Sequence, residues 1–203
     1  MRAAAAYDAR AAEYAQLLGT MEATSPEDRR LVEAWAAEAE GPLLDLGCGP
    51  GHWTAHLAGR GHDILGMDPA PAFLAHARQA HPQVRFEDGG LEDLDPGRRR
   101  WGGILAWYSL IHRDPGQLPG DLALLRACLR PSGELLIGFF DAAEAGCGES
   151  EPFDHAITTA HRWPAAMMAE LLAQAGLAVE HVERRTDPGV RPHAAIRARR
   201  MGR

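Results

Sequence analysis

The residues best suited to chemistry lie in one run, where an apolar segment over 43–46 leads into a glycine-rich turn. Gly47, Gly49 and Gly51 recur at a spacing of two, and Asp45 precedes them. Glycine tolerates positive φ and lets a ligand approach the backbone closely. The helix predicted to follow presents unpaired N–H groups and the positive end of its dipole to the same turn. This combination predicts a slot for a nucleotide-like ligand.

Two phosphate-binding patterns can be tested against this run. The dinucleotide pattern G-x-G-x-x-G needs a third glycine where this chain has His52, and the Gly-Lys-Ser/Thr ending of a P-loop is absent. The carboxylate of Asp45 would repel a pyrophosphate, but it suits a ligand with an ammonium group. Asp68 ends the next apolar segment roughly 20 residues beyond the turn, where an acceptor for ribose hydroxyls is expected. These features favour S-adenosylmethionine, which joins an adenosine to a cationic amino-acid tail.

Three motifs resemble those of the class I S-adenosylmethionine-dependent methyltransferase family, over about residues 43–140. They are Asp-Leu-Gly-Cys-Gly-Pro-Gly at 45–51, Gly-Met-Asp-Pro at 66–69 and Leu-Arg-Pro-Ser-Gly-Glu-Leu-Leu-Ile at 129–137. The resemblance implies transfer of a methyl group to a small-molecule acceptor, with S-adenosylhomocysteine as the product.

Strands and helices alternate along most of the chain, which predicts a parallel sheet with helices on both faces. The predicted strands are 43–46, 63–67, 83–86, 104–108 and 134–140, and the helices between them are 52–59, 71–80 and 117–129. A helix over 164–175 then precedes strands 179–184 and 194–199, which have no helix between them and therefore predict an antiparallel pair. We expect one α/β domain over 1–203, a doubly wound, mostly parallel seven-stranded sheet with a C-terminal hairpin.

Two segments outside this core are candidates for covering the site. Helices are predicted over 2–18 and 26–39, and the resemblance implies that residues 1–40 form a helical cap in which Tyr14 touches the cofactor; packing of that tyrosine on the sheet is the alternative. The segment 142–163 shows little periodicity and is predicted to be a loop, a candidate lid over the substrate.

The resemblance also assigns cofactor contacts. Asp45 and the turn would lie against the methionine and ribose portions, with Cys48 kept small for close approach, and Asp68 would accept from the ribose hydroxyls. Gly90 stands where the family usually has an aspartate for the adenine, so that backbone groups there, or Asp88, would replace it. The cofactor-binding residues predicted in full are Tyr14, Asp45, Gly47, Cys48, Gly49, Asp68, Pro69, Gly90, Leu91 and Ala106.

On the acceptor side, His112 is the candidate general base, because imidazole titrates near neutral pH. A histidine with only a structural role at a helix start is the alternative. Tyr108 would supply an aromatic wall, and His161 and Arg162 would face the substrate unless they lie on a solvent-facing loop. The histidines are scattered, so no metal site is predicted.

The composition narrows the class of partner and compartment. The 203-residue chain carries a formal net charge of −7, which argues against nucleic acid as a partner. Its three cysteines are well separated, which favours a reducing cytoplasm over a disulfide framework. No apolar run is long enough to span a bilayer. An NAD-dependent oxidoreductase and a non-catalytic cofactor-binding sensor remain the alternative functions.

Overall fold

The computed structural model describes residues 5, 7, 8, 10, 11, 13, 19–142, 150–187 and 189–202. Within these residues nine strands form one sheet, in the order β3-β2-β1-β4-β5-β7-β6, with β9 pairing with both β5 and β8. The strands are β1 Leu43–Leu46, β2 Ile64–Asp68, β3 Arg85–Asp88, β4 Trp101–Trp107, β5 Leu129–Asp141, β6 Glu151–Asp154, β7 Thr159–Trp163, β8 Leu177–Arg185 and β9 His193–Arg200.

Five helices with described bounds cover the two faces of this sheet: α1 Pro26–Glu38, α2 His52–Gly59, α3 Pro71–Ala80, α4 Leu118–Cys128 and α5 Ala165–Gln174. One face is covered by α4 and α5, whose leucines and Met168 join the largest apolar cluster. The other face is covered by α1 and α2, with Trp35 and Trp53 in the second cluster. The predicted doubly wound arrangement is therefore confirmed, including the antiparallel pairing of β8 with β9 and of β9 with β5.

Local sequence explains why α1 begins where it does. Ser25 caps the helix by accepting a hydrogen bond from the backbone N–H of Asp28 at 3.0 Å, and Pro26 occupies the first turn. The helix then buries Val32 and Trp35 against the sheet. The predicted helix over 26–39 is thus confirmed to within one residue.

The prediction of an irregular segment over 142–163 is wrong for its second half, because β6 and β7 form an antiparallel hairpin there. Pro152 argues against a strand on sequence grounds, but β6 is the edge strand of the sheet, where a proline costs no ladder hydrogen bond. The turn at 155–158 contains neither glycine nor proline, so no sequence signal marks the hairpin.

The described part of the N-terminal segment is helical and packs beside α3. Ala5, Tyr7, Asp8, Ala11 and Glu13 are in helical conformation, and Ala11 is buried with Ala70 and Phe73. This places the described residues of the segment at the carboxyl end of β2, and their role as a cap over the cofactor stays a prediction.

A buried acid joins the central strand β5 to β9. Glu134 is 1% exposed and accepts from Arg197 Nε at 2.7 Å, while Arg199 lies 2.7 Å from its other oxygen. A buried carboxylate with two guanidinium partners stabilises the fold only while the set stays complete, since loss of one member leaves uncompensated charge.

We therefore expect Glu134→Gln to lower the free energy of unfolding by about 3 kcal/mol. Urea unfolding followed by circular dichroism measures this change. Glu87→Gln is the matched control, because the side chain of Glu87 is 47% exposed and its pair with Arg99 contributes less than about 1 kcal/mol. Equal losses in the two variants would contradict the structural role of Glu134.

Candidate functional site

The turn after β1 is built from glycines that the surrounding structure requires. Gly47 has φ of 74°, and a Cβ there would lie 2.4 Å from the Cβ of Ser109. Gly49 also has positive φ, at 53°, but a Cβ on it would meet no atom within 4 Å. The turn is therefore packed against the end of β4 on one side and open on the other, where a ligand can approach.

Asp68 ties this turn to the next strand. Its Oδ2 accepts from the N–H of Gly49 and its Oδ1 from the N–H of Ala70, each at 2.8 Å. The side chain is 6% exposed, and burial raises its pKa even though both hydrogen bonds oppose that rise. Each carboxylate oxygen keeps acceptor capacity, so the side chain can also receive a pair of neighbouring hydroxyl groups.

Asp45 is the second buried acid, located on β1 directly before the turn. Its Oδ2 accepts from the hydroxyl of Thr54 on α2 at 2.6 Å. Burial raises the pKa of Asp45 to about 7, and the nearby charge of Asp68 adds to the rise. The glycine turn thus lies between two acids whose charged forms are disfavoured until a cation approaches.

The thiol of Cys48 does not gain nucleophilic character from its position. It is 5% exposed, and burial raises the pKa of the thiol well above its ordinary value. The structure instead agrees with a role for Cys48 as a small side chain at the turn.

The turn after β3 is arranged differently from the sequence-based expectation. The backbone N–H of Gly90 donates to Asp93 Oδ2 at 2.8 Å, and the carbonyl of Gly90 accepts from the N–H of Asp93 at 3.1 Å. The N–H of Gly90 is therefore engaged, whereas its carbonyl keeps a second lone pair, and the cofactor contacts of Gly90, Leu91 and Pro69 stay predictions. The sequence analysis missed Asp93, although an acid three residues after a turn glycine is a capping signal.

The end of β4 carries the acceptor-side residues. Ala106 is buried, and Tyr108 has φ of 54°, a left-handed value that is unfavourable for an aromatic residue. The N–H of Tyr108 donates to the carbonyl of Gly138 on β5 at 3.0 Å, and its ring packs on Phe140 at 5.2 Å between centroids. These contacts with β5 keep Tyr108 in its strained backbone conformation.

His112 follows β4 and bonds through both ring nitrogens. Its Nδ1 lies 2.8 Å from the carbonyl oxygen of Thr159, and its Nε2 lies 2.9 Å from the hydroxyl of Tyr7. Because a carbonyl only accepts, Nδ1 carries the proton and Nε2 is the acceptor. Burial lowers the pKa of His112, so the ring is neutral near pH 7, which is the form a general base requires.

The β6–β7 hairpin brings His161 and Arg162 to this region. The N–H of His161 donates to the carbonyl of Ile111 at 2.8 Å, and Arg162 stacks on the ring of Phe153 with 4.9 Å from Cζ to the centroid. His161 Nδ1 and Arg162 Nε are buried and have no hydrogen-bond partner within the described structure. Their contact with a methyl acceptor stays a prediction.

The predicted contact of Tyr14 lies outside the described residues. Tyr7, which lies seven positions earlier, meets the site instead through His112 and packs on Phe73 at 5.7 Å between ring centroids. Contacts between an N-terminal residue and His112 join positions 105 apart, and no local pattern marks them.

Within the part of the chain that the structure describes, no group of three metal-binding side chains converges, and no helix is long and apolar enough to cross a membrane. A cavity of about 220 Å³ has none of the predicted site residues in its lining, which consists of Met67, Glu87, Asp93, Leu94, Asp95, Arg98, Arg99, Trp101 and Cys128.

The sheet order and the C-terminal hairpin are those of the Rossmann-like methyltransferase fold. Residues 43–133 match the family model described as "Methyltransferase domain". The chain is also 34% identical over 148 residues to malonyl-[acyl-carrier protein] O-methyltransferase of Pectobacterium atrosepticum, covering 73% of this chain and 53% of that protein. It is 34% identical over 118 residues to trans-aconitate 2-methyltransferase of Delftia acidovorans, covering 57% and 44% of the two chains.

The same fold is found over the whole chain in a solved structure. The 1,6-didemethyltoxoflavin-N1-methyltransferase of Burkholderia thailandensis, solved with bound 1,6-didemethyltoxoflavin and S-adenosylhomocysteine, superposes with a TM-score of 0.75 at 23% identity, covering 98% of this chain and 89% of that one. By contrast, the chain spans about half the length of the curated relatives named here, or less.

The raised pKa of Asp45 predicts how stability depends on pH. In the folded protein this acid keeps its proton up to about pH 7, whereas the unfolded chain releases it near 3.8. The stability from this group is therefore complete below about pH 4 and is lost as the pH rises to about 7. The loss is on the order of 4 kcal/mol.

We expect Asp45→Asn to remove this decline, because an amide oxygen still accepts from Thr54 but does not ionise. Urea unfolding of the cofactor-free protein at several values between pH 4 and 8 measures it. Asp63→Asn, at the exposed start of β2, is the control and keeps the wild-type slope. The same slope in Asp45→Asn and wild type would contradict the burial of a protonated Asp45.

Proposed function

We propose that this chain is an S-adenosylmethionine-dependent methyltransferase acting on a small-molecule acceptor, with S-adenosylhomocysteine as product. The observation that carries the proposal is the carboxylate of Asp68, which is fixed by the N–H groups of Gly49 and Ala70 beside the open face of the turn. This is an acceptor for neighbouring ribose hydroxyls, placed at the carboxyl end of a parallel strand where ligands of open α/β sheets bind.

The residues present fit this cofactor in charge as well as shape. Two buried acids, Asp45 and Asp68, favour a cationic ligand and disfavour a bridging pyrophosphate. The hydroxyl of Ser109 beside Gly47 is buried without a hydrogen-bond partner in the described structure, which leaves a polar group to be satisfied by the ligand's amino-acid end. The matched relatives and neighbours support the choice, since solved neighbours contain S-adenosylmethionine or S-adenosylhomocysteine.

The cofactor supplies an electrophilic methyl group on a positively charged sulfur. The protein's own part is to position the acceptor and to exclude water, and much of the acceleration of a displacement comes from such positioning. Trp107 and Tyr108 form an aromatic wall at the end of β4, which suits a sulfonium. His112, neutral and with Nε2 as an acceptor, takes the acceptor's proton once Tyr7 yields its place.

The acceptor side is enclosed by two elements that are joined to each other. Arg10 of the N-terminal helix donates to the carbonyl of Ala156 in the turn of the β6–β7 hairpin at 2.5 Å, and Asp8 accepts from the N–H of Ala72 at 2.7 Å. We assign the N-terminal helix and the hairpin as the lid of the site, in accord with the expectation for residues 1–40 and 142–163.

We also place the protein in the cytoplasm, without nucleic-acid partners. Cys48 and Cys128 are buried free thiols, in keeping with a reducing compartment. The formal net charge of −7 opposes binding to polyphosphates.

The two alternative functions fit the structure less well than a methyltransferase does. An NAD-dependent oxidoreductase would need a pyrophosphate beside Asp45, and a plain dinucleotide-binding domain lacks the antiparallel β9 that lies beside β5 here. A non-catalytic sensor with the same slot is separated from the enzyme by turnover with a panel of acceptors.

Binding of S-adenosylhomocysteine, measured by titration calorimetry, tests the cofactor assignment. We expect Asp68→Asn to weaken binding by about 100-fold, because one neutral amide replaces a charged acceptor of paired hydroxyls. Asp63→Asn, directly before the opposite end of β2, leaves affinity unchanged. Absence of binding to the wild type would contradict the proposal.

The role of His112 is tested by His112→Gln, which keeps a side chain able to form hydrogen bonds. We expect kcat to fall by about 100-fold or more while cofactor affinity is kept. Since burial lowers the pKa of His112, the acidic limb of the wild-type pH profile lies below pH 6.5. Tyr7→Phe is the control, which removes only the phenolic hydroxyl and keeps most of the activity. A loss of cofactor binding in His112→Gln would instead show that His112 has a structural role.

A further inference from the structure

The hairpin lies directly beyond β4, over the acceptor side. Strand β4 pairs with β5 as far as Gly138, and β9 occupies the other edge of β5 as far as Phe140. Strand β7 pairs with Phe140 and Asp141, so it takes the edge that β4 leaves free. The hydrogen bond from His161 N–H to the carbonyl of Ile111 fixes the hairpin to the segment that follows β4.

A continuous series of rings lines this region. Phe140 contacts Tyr108 at 5.2 Å, Phe153 at 5.3 Å and His155 at 5.9 Å between centroids, and His155 lies 5.2 Å from His112. Tyr108, Phe140 and Phe153 are only partly buried, although they pack against the main apolar core. Two of these contacts are edge-to-face and two are tilted, so the rings present flat apolar surface at fixed angles, which favours a planar aromatic ligand.

Two arginines stack on the outermost ring of this series. The guanidinium of Arg162 lies 4.9 Å from the Phe153 centroid and that of Arg191 lies 5.2 Å from it. Residues Phe153 and Arg162 share a face of the hairpin, because Phe153 pairs with Ala160 and Glu151 with Arg162. A stacked guanidinium keeps its edge N–H groups free for a carboxylate or similar anion.

These two cations lack counter-ions in the described structure. Arg184 nearby is paired with Asp141 at 2.7 Å, but no described acid forms an ion pair with Arg162 or Arg191, and Arg162 Nε has no hydrogen-bond partner. The charge of Arg191 also contributes to the low pKa of His155, which burial brings to about 4. Glu151 lies opposite Arg162 on the same face of the hairpin, but it forms no ion pair with this arginine in the described structure.

We infer that the methyl acceptor is a planar aromatic molecule with an anionic substituent, its ring against Tyr108, Phe140 and Phe153 and its anion on Arg162 and Arg191. The inference rests on the proposed function and specifies the substrate class of the same site. The ring series leads from the arginines to His112, so an anion at one end directs the opposite edge of the ring toward the base and the turn after β1.

Three probes of equal size separate the elements of this inference. Binding of 4-hydroxybenzoate, 4-hydroxybenzamide and 4-hydroxycyclohexanecarboxylate is measured by calorimetry on protein first saturated with S-adenosylhomocysteine. We expect 4-hydroxybenzoate to bind about tenfold more tightly than either of the other two, since the amide lacks the charge and the saturated acid lacks the flat ring.

Variants assign the preference to named side chains. Arg162→Gln abolishes the preference for the carboxylate over the amide, and Phe153→Leu abolishes the preference for the aromatic over the saturated acid. Arg130→Gln, an exposed arginine at the opposite end of β5, changes neither. Circular dichroism and retained affinity for S-adenosylhomocysteine show that the variants are folded.

The outcomes are separable from those of the proposed function. Equal affinities for the three probes, or none for any of them by a protein that binds S-adenosylhomocysteine, would overturn the inference and leave the proposed function standing. Failure to bind S-adenosylhomocysteine would remove the proposed function itself.

Discussion

The carboxylate of Asp68 is the contact on which the site depends. One oxygen holds the N–H of Gly49 and the other the N–H of Ala70, so a single side chain positions the turn after β1 and the entry to α3. Because the carboxylate is buried, water competes little for these bonds, and the geometry is fixed before any ligand arrives. The open face of Gly49 is consequently a property of the fold.

The acceptor half of the site depends on the different lengths of strands β4 and β5. Strand β5 extends to Asp141, past the point where β4 ends, so its edge would be left with unpaired backbone groups. The β6–β7 hairpin satisfies that edge and carries Phe153 and Arg162 over the end of β4. His112 then bridges the hairpin, through the carbonyl of Thr159, and the N-terminal helix, through Tyr7. One ring thereby connects the core strand to both covering elements.

Short sequence patterns predicted those parts of the fold that depend on residues close together in the chain. The apolar strand over 43–46, the cap at Ser25 and the position of Asp68 all follow from a few adjacent residues, and the structure has them where they were predicted. The C-terminal pair β8–β9 was predicted because two extended segments lack a helix between them.

The missed features depend on distant partners or on backbone states. Strand β6 was not predicted because Pro152 argues against a strand, and only the sheet order shows that this strand lies at an edge. The bond from Tyr7 to His112 and the left-handed φ of Tyr108 depend on packing between elements far apart in sequence. The hydrogen bond between Gly90 and Asp93 follows a capping pattern that is visible in the sequence. The resemblance to the family instead emphasised the aspartate that is absent at position 90.

The electrostatics of the two halves are opposite, and this difference organises the whole site. Burial of Asp45 and Asp68 makes the cofactor side costly to ionise in the free protein, so a cationic ligand is bound with relief of that cost and stabilises the fold. The acceptor side has the opposite requirement, because the positive charges of Arg162 and Arg191 form no ion pair with a described acid. A cation on one side and an anion on the other therefore complete the two halves separately, and each ligand is disfavoured in the other's place.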